Sequence, residues 1–303
     1  RAQLDAKGQG IAWRGHSDTE VALAAFEAWG VEAALPRFNG MFALGLWDRR
    51  ERCLWLARDR FGEKPLYLFR HAKGLAFASE LKALRHTPGW REEVSADALA
   101  SLLAYNYVPT PLGIFEGVTK LEAGSALCFA AANAEPRRLR YFSAAETALR
   151  ALASPLPGSE RERLDELERV LKRAVGLRLH ADVPLGAFLS GGIDSSTVVA
   201  LMQAQSPRAV RTFTIGFTEA AYDESPQAAA VARHLGTEHT ELIVQPTDAL
   251  AVIPRLPTLY DEPFADASQL PTFLVSELAR RQVTVSLSGD GGDELFAGYN
   301  RHA

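Results

Sequence analysis

The sequence predicts two domains: a sheet-rich α+β unit over residues 1–142, and an α/β unit with a doubly wound parallel sheet over 160–303, joined by a linker at 143–159. Three observations carry this. At 303 residues the chain exceeds an ordinary single domain. Its first half holds short apolar runs parted by polar turns, whereas its second half alternates apolar runs with amphipathic stretches, as in a parallel sheet covered by helices. Between them, 143–159 is rich in Ala, Ser and Pro and ends in Ser154-Pro155-Leu156-Pro157-Gly158-Ser159.

In the first unit, 19–30 (TEVALAAFEAWG) has apolar residues at helical spacing, with Gly30 placed as a C-cap. The runs 41–47, 53–57, 66–69 and 75–78 read as neighbouring antiparallel strands. Arg58-Asp59-Arg60-Phe61-Gly62-Glu63-Lys64-Pro65 joins two of them as a structured loop, and 79–85 and 95–104 read as helices. In the second unit, 160–179 reads as an amphipathic helix, 184–189 (PLGAFL) as a buried strand and 195–203 as a helix. Strands at 210–217 and 239–244 flank a helix at 225–235, and helices at 247–256 and 268–281 precede a last strand at 283–287. Ligands of such sheets bind at the carboxyl ends of the strands, which singles out the loops after Leu189, Ile215 and Leu287. No internal repeat or low-complexity tract is present.

Composition narrows the class. A hydrophobic content of 47% and a charged content of 23% describe a soluble chain with apolar mass for real cores. A net charge of −4 and a pI near 6.0 give no electrostatic case for nucleic acid. The one basic run, Pro136-Arg137-Arg138-Leu139-Arg140, reads as a solvated loop. Cys53 and Cys128 lie in apolar runs and read as buried thiols of a reducing, cytoplasmic compartment rather than a disulfide. The longest uncharged run, 98–115, is broken by Asn106, Pro109 and Pro111 and is no membrane span.

Two loops carry the chemistry. Leu189-Ser190-Gly191-Gly192-Ile193-Asp194-Ser195-Ser196 feeds a strand into a helix through two glycines, bringing bare N–H groups and the helix N-terminus up to a polyanion. Ser190, Ser195 and Ser196 add hydroxyl donors, and Asp194 can hold magnesium against the phosphates. A simple helix cap by Asp194 or Ser195 is the competing reading, but a cap needs neither paired glycines nor three hydroxyls. The loop lacks the Walker A lysine and the GxGxxG spacing. Ser-Gly-Gly-x-Asp-Ser marks instead enzymes that split ATP between the α and β phosphates. The second loop, Ser288-Gly289-Asp290-Gly291-Gly292-Asp293-Glu294, sets three carboxylates among three glycines. Crowded carboxylates repel unless a cation offsets them, so a magnesium-nucleotide site is expected, with an Asp-Gly helix cap as the alternative.

These loops resemble those of glutamine-hydrolysing asparagine synthetases of the asparagine synthetase B type. So do, in order, Arg14-Gly15-His16-Ser17-Asp18-Thr19-Glu20, Phe38-Asn39-Gly40-Met41-Phe42-Ala43, 58–67 (RDRFGEKPLY) and Ala78-Ser79-Glu80-Leu81-Lys82-Ala83-Leu84. The resemblance implies an N-terminal-nucleophile (class II) glutaminase domain over 1–142, in which a first-residue cysteine attacks the glutamine amide. Neither Cys53 nor Cys128 can replace that residue, which this sequence lacks, and both chain ends, Arg1 and Arg301-His302-Ala303, look cut. Asp18 is implied to bind the α-amino group of glutamine, with a helix cap by Ser17 or Asp18 as a compatible role. RDRFGEKPLY reads as scaffold lining an inter-domain face.

For 160–303 the resemblance implies an ATP-pyrophosphatase domain that adenylates the aspartate side chain, after which ammonia displaces AMP. Ser190, Gly191, Gly192, Asp194, Ser195 and Ser196 would hold pyrophosphate with Mg2+, which Asp194 and Asp293 would ligate. Leu189, Ile215, Ser288 and Gly289 would contact adenosine, and Asp290, where some members have Glu, would face the acceptor and ammonia. A lysine-bearing segment of the family falls beyond Ala303. The partners implied are glutamine, aspartate or another carboxylate, and ATP, with a homodimer left open. The acidic stretch Tyr260-Asp261-Glu262-Pro263-Phe264-Ala265-Asp266 reads equally as an acceptor-site loop or a solvated one. Two other functions compete: amidation of a different carboxylate, such as a sugar acid of surface polysaccharide, and a nucleotide-binding scaffold without turnover. Other ATP pyrophosphatases, such as NAD or GMP synthetases, are disfavoured by the segments at 14–20 and 58–67.

Overall fold

The structure, a computed structural model, describes residues 2–5, 11–72, 74–131, 134–219, 223–296 and 298. The closing tripeptide 301–303, and Ala297 and Tyr299 beside the second glycine loop, lie outside the described residues. The chain divides into two compact units, Arg1–Pro155 with Tyr260–Ala265, and Leu156–Leu259 with Asp266–Ala303.

The first unit holds α1 (Ala2–Asp5), α2 (Asp18–Trp29), α3 (Val31–Ala34), β1 (Ala43–Asp48), β2 (Cys53–Arg58), β3 (Tyr67–His71), β4 (Gly74–Ala78), α4 (Leu81–Leu84), α5 (Ala96–Tyr105), β5 (Val118–Lys120), β6 (Ser125–Phe129), β7 (Arg137–Arg140) and α6 (Ala144–Ala153). Its strands form two antiparallel sheets, β1-β2-β6-β7 and β4-β3-β5. The four runs expected as one set of neighbours are therefore two pairs, and β2 and β3 belong to different sheets. The basic run is not a loop but the edge strand β7, paired with β6. Arg138 and Arg140 face water, while Leu139 packs against the cluster that holds Trp55, and Arg137, on the same face as Leu139, lies over the Trp55 ring at 5.0 Å. Cys53 and Cys128 are free thiols on β2 and β6, and burial, with Cys128 as neighbour, pushes the Cys53 thiol up to about 11. The expected linker, 143–159, carries α6, capped by the Ser143 hydroxyl.

The turn from β2 to β3 is wound on Asp59, only 1% exposed. Its carboxylate accepts the backbone N–H groups of Phe42 and Phe61 at 3.2 Å and of Glu63 and Lys64 at 2.9 Å. Arg58 donates to the carbonyls of Gly62, Lys64 and Leu121 at 2.6–2.8 Å, and burial lowers its pKa. The Tyr141 hydroxyl closes the turn on the Arg58 carbonyl at 2.5 Å. RDRFGEKP thus spends its charges on backbone groups of its own unit.

The second unit holds α7 (Glu160–Arg178), β8 (Leu185–Phe188), α8 (Ile193–Gln203), β9 (Arg211–Phe217), α9 (Ser225–Leu235), β10 (Glu238–Val244), α10 (Pro246–Val252), α11 (Leu256–Leu259), α12 (Gln269–Arg280), β11 (Val285–Leu287) and α13 (Gly292–Phe296). The strands are all parallel in the order β10-β9-β8-β11. On one face Val175, Val199, Met202, Ala228 and Ala232 of α7, α8 and α9 pack on Ala187 and Leu189. On the other, Val275, Leu278 and Ala279 of α12 pack on Phe213. Helices cover both faces. The chain steps outward from β8 to β9 and β10, then returns to place β11 on the far side of β8, so the strand order reverses between β8 and β11. A crevice opens at such a reversal, outside the carboxyl ends of the strands. Among the described residues no helix is long and apolar enough to cross a membrane.

Asp59→Ala would take the shared acceptor from four backbone amides and empty a buried position. It should lower unfolding free energy by about 3 kcal/mol or more, read as the midpoint of urea denaturation, and Asp59→Asn, which keeps one acceptor oxygen, should lose less. An unchanged midpoint for Asp59→Ala would contradict the role given to this carboxylate.

Candidate functional site

Both glycine loops leave the sheet at the reversal, one after β8 and the other after β11. In the first, the helix N-cap is Gly192, with no side-chain cap, so neither Asp194 nor Ser195 caps α8. Gly191 has φ +83°, and a Cβ there would lie 2.8 Å from the Ala228 backbone nitrogen. The Ser190 and Ser195 hydroxyls bond each other at 2.9 Å, Ser195 Oγ also accepts the Ser190 N–H at 3.2 Å, and Ser190 Oγ accepts that of Gly192 at 3.3 Å. These hydroxyls brace the loop. The first-turn N–H groups of α8, which have no acceptor within the helix, are left to meet an anion.

The second loop lies against that first turn. A Cβ on Gly289 would stand 2.8 Å from the Ser195 backbone nitrogen, and one on Gly292 would collide with the Asp194 carboxylate. At Gly289 the neighbour is backbone and only glycine fits; at Gly292 it is the Asp194 side chain. The three carboxylates of this loop do not converge. Asp290 is exposed and accepts the Ser288 hydroxyl at 2.9 Å, Glu294 is exposed and Asp293 is half-buried. Because α13 begins at Gly292, Asp293 and Glu294 fall on successive helical positions about 100° apart. Backbone geometry holds these charges apart. Among the described residues no group of three His, Cys, Asp or Glu side chains could hold a metal. Asp194 and Asp293, both half-buried and without a salt-bridge partner among the described residues, fit a magnesium ion that takes one or two carboxylates and completes its shell with phosphates and water.

Beside the first loop opens a cleft of about 630 Å³ lined by Leu189, Ser190, Ile215, Phe217, Ser268 and Leu270. Ile215 sits within β9, which runs on to Phe217 as the sequence indicated, so the loop leaves the sheet after Phe217 rather than directly after Ile215. Ser288 and Gly289 do not line this cleft; they sit on the loop after β11. Ser196 points elsewhere again: its hydroxyl is buried without a hydrogen-bond partner among the described residues, in a crevice with Ala230, Val231 and His234 of α9. Sequence reasoning missed the α12 wall and Asp223, which accepts the N–H groups of Phe217 and Ser225 at 3.3 and 3.1 Å and is held below the usual carboxylate range by Ser225. The Asp-x-Ser spacing at 223–225 and 266–268 was the available signal. A larger cavity of about 1090 Å³ lies at the opposite, amino edge of the sheet and holds no motif residue. Arg173 and Arg208 line it beside the carboxyl ends of α7 and α8, where cations offset the helix dipoles.

In the first unit, the Ser17 hydroxyl accepts the Thr19 N–H at 3.1 Å and caps α2, leaving Asp18 exposed in the first turn. Glu20 fixes the preceding turn by accepting the N–H groups of Arg14 and Gly15 at 2.7 and 3.1 Å. Asp18 is thus presented by a braced turn and is not consumed by capping. The acidic stretch at 260–265 is not a solvated loop, since the Asp261 and Glu262 side chains are each 12% exposed and are bonded within the first unit.

Residues 166–303 match the family model described as Asparagine synthase, and residues 1–142 match that described as Glutamine amidotransferase domain. A Mycobacterium tuberculosis protein named "Putative asparagine synthetase (glutamine-hydrolyzing)" is 41% identical over 289 residues, 93% of this chain and 43% of that relative. Glutamine-hydrolyzing asparagine synthetase 1 of Bacillus subtilis is 34% identical over 300 residues, 99% of this chain and 45% of the relative. The chain spans about half the length of the curated relatives it matches.

Gly289→Ala places a methyl group against the first turn of α8. Affinity for Mg-ATP, measured by titration calorimetry, should fall about tenfold or more while the circular dichroism spectrum is retained, since a small overpacking costs only about 1–3 kcal/mol. Unchanged affinity would mean that the two loops do not share one ligand.

Proposed function

We propose, for a chain whose residues 1–142 belong to the glutamine amidotransferase domain family and whose residues 166–303 belong to the asparagine synthase family, that the whole protein makes asparagine from aspartate, glutamine and ATP. The observation that carries this reading is the contact of the two glycine loops at the strand-order reversal, with Asp194 beside bare backbone and the first turn of α8. The acceptor carboxylate attacks the α-phosphorus of ATP and pyrophosphate leaves. Ammonia released from glutamine then attacks the acyl carbon of the resulting β-aspartyl-AMP, and AMP leaves. First-turn N–H groups of α8 take charge on the departing pyrophosphate, and glycines 191, 192, 289 and 292 let them approach it. Asp194 and Asp293 would hold magnesium, which would supply the remaining countercharge when bound. The cleft of Leu189 and Ile215 takes the adenosine. In the first unit, Asp18 pairs with the α-ammonium of glutamine.

Two measurements test this on the intact protein. Supplied with glutamine, aspartate and Mg-ATP, it should release AMP and pyrophosphate in step with asparagine, and Asp194→Ala should cut turnover about 10²-fold or more by removing transition-state charge stabilisation. Release of ADP and orthophosphate contradicts the assignment. Asp18→Ala should raise the KM for glutamine at least tenfold while leaving synthesis from added ammonia unchanged, because the lost ion pair serves glutamine alone. A parallel loss with ammonia would remove Asp18 from the glutamine site.

A further inference from the structure

We propose that the crevice between the edge strands β5 and β7 of the first unit binds a singly charged organic anion, a carboxylate on an apolar body, and that Arg138 and Arg140 hold its charge.

The two sheets of this unit meet through Leu56, Leu68, Leu127 and Phe129, which pack in one cluster. β5 is the outer strand of its sheet, and β7 the outer strand of the other. Beside them opens a cavity of about 410 Å³, with Leu68, Pro111, Leu121 and Leu127 on its walls and Arg138 and Arg140 in its lining. The register fixes the face from which those arginines project. Arg138 lies opposite Leu127 in the ladder and Arg140 opposite Ser125. Residues opposite one another share a face, so both arginines stand on the face that carries Leu127 onto Leu68. Leu139, opposite Ala126, stands on the helix-covered face.

The charges at this crevice are unspent. Arg137, on the helix-covered face, pairs with Glu32 at 2.7 Å and lies over the Trp55 ring. Lys120 also lines the cavity, but its ammonium is taken by Glu262 of the same unit and by the Val108 carbonyl, each at 2.6 Å. The side chains of Arg138 and Arg140 are exposed and have no ion pair or hydrogen bond among the described residues. The same is true of the carboxylate of Glu122, which is half-buried in the lining.

Two guanidiniums two residues apart along a strand start about 7 Å from each other. They are near enough to close on one carboxylate, and they repel one another without it. Glu122 lowers the excess to a single positive charge, which suits a monoanion. The apolar walls suit a hydrocarbon body, from which free phosphate would gain nothing. Charged side chains on an edge strand also deter pairing with a second sheet. That duty needs the charges alone and no apolar cavity behind them.

Titration calorimetry of the full-length protein with hydrocinnamate, set beside hydrocinnamyl alcohol and inorganic phosphate, tests the site. Hydrocinnamate should bind about tenfold or more tightly than either, and the pair Arg138→Gln and Arg140→Gln should weaken it about tenfold with the circular dichroism spectrum retained. Arg138→Lys, which keeps the charge and loses the fork, should fall between wild type and that pair. Bound hydrocinnamate should slow hydrogen exchange over 119–127 and 137–140 and leave 189–196 unchanged. Equal binding of the alcohol or of phosphate, wild-type affinity in the double variant, or protection centred on 189–196 overturns the proposal. Wild-type protein that takes up no hydrocinnamate overturns it as well, and self-association of the double variant in sedimentation would then leave the two arginines as guards of the edge strand.

Discussion

The close approach of Gly289 and Gly292 to the first turn of α8 is the constraint on which the second unit depends. A Cβ on Gly289 would meet the Ser195 backbone nitrogen, and one on Gly292 the Asp194 side chain. That contact requires β11 to lie beside β8, and β11 reaches this position because the chain, after stepping outward through β9 and β10, returns by way of α12 on the opposite face. Sheet order, helix layers and glycine positions are one solution to one problem: bringing a second glycine loop up to the first turn of a helix at the strand-order reversal. The hydroxyls of Ser190 and Ser195 stiffen the loop that does it.

The first unit solves a different problem with the same chemistry. Its two sheets are joined by a turn with little apolar content, so backbone amides that a ladder would satisfy must find other acceptors. Asp59 takes four of them, and Arg58 satisfies three carbonyls around it. At 260–265 the pattern recurs, with Asp261 and Glu262 accepting the N–H groups of Leu81, Lys82 and Ile114. In both places acidic side chains serve as internal backbone partners, and at 260–265 they do so where the sequence left a solvated loop open.

That is also where sequence reading stops. The strands at 53–57 and 210–217 were legible as continuous apolar or β-branched runs, buried on both faces, and the helices at 19–30, 160–179 and 225–235 because burial on one face writes itself into the order of residues. The short β5 (Val118–Lys120) carries too few residues for a period, and the three arginines of β7 masked its single inward Leu139. The glycine loops were legible as a pair, because glycine between a strand and a helix is a backbone requirement. Their side chains were not. Whether Asp290 turns to Ser288, or Ser196 toward α9, is decided by where α13 and α8 begin, a matter of one residue that no spacing rule fixes. The anchorage of Asp261 was invisible for another reason, since Leu81 and Lys82 lie about 180 residues away in the chain.

The central claim, that both glycine loops close on one magnesium nucleotide at the strand-order reversal, is tested most directly by the footprint of Mg-ATP on backbone hydrogen exchange. The account predicts joint protection of 189–196 and 288–294 on addition of Mg-ATP, lost when a chelator removes the magnesium, with 205–211 at the amino edge unaffected. Protection of one loop without the other, or protection centred on 205–211 in the larger cavity, would contradict it.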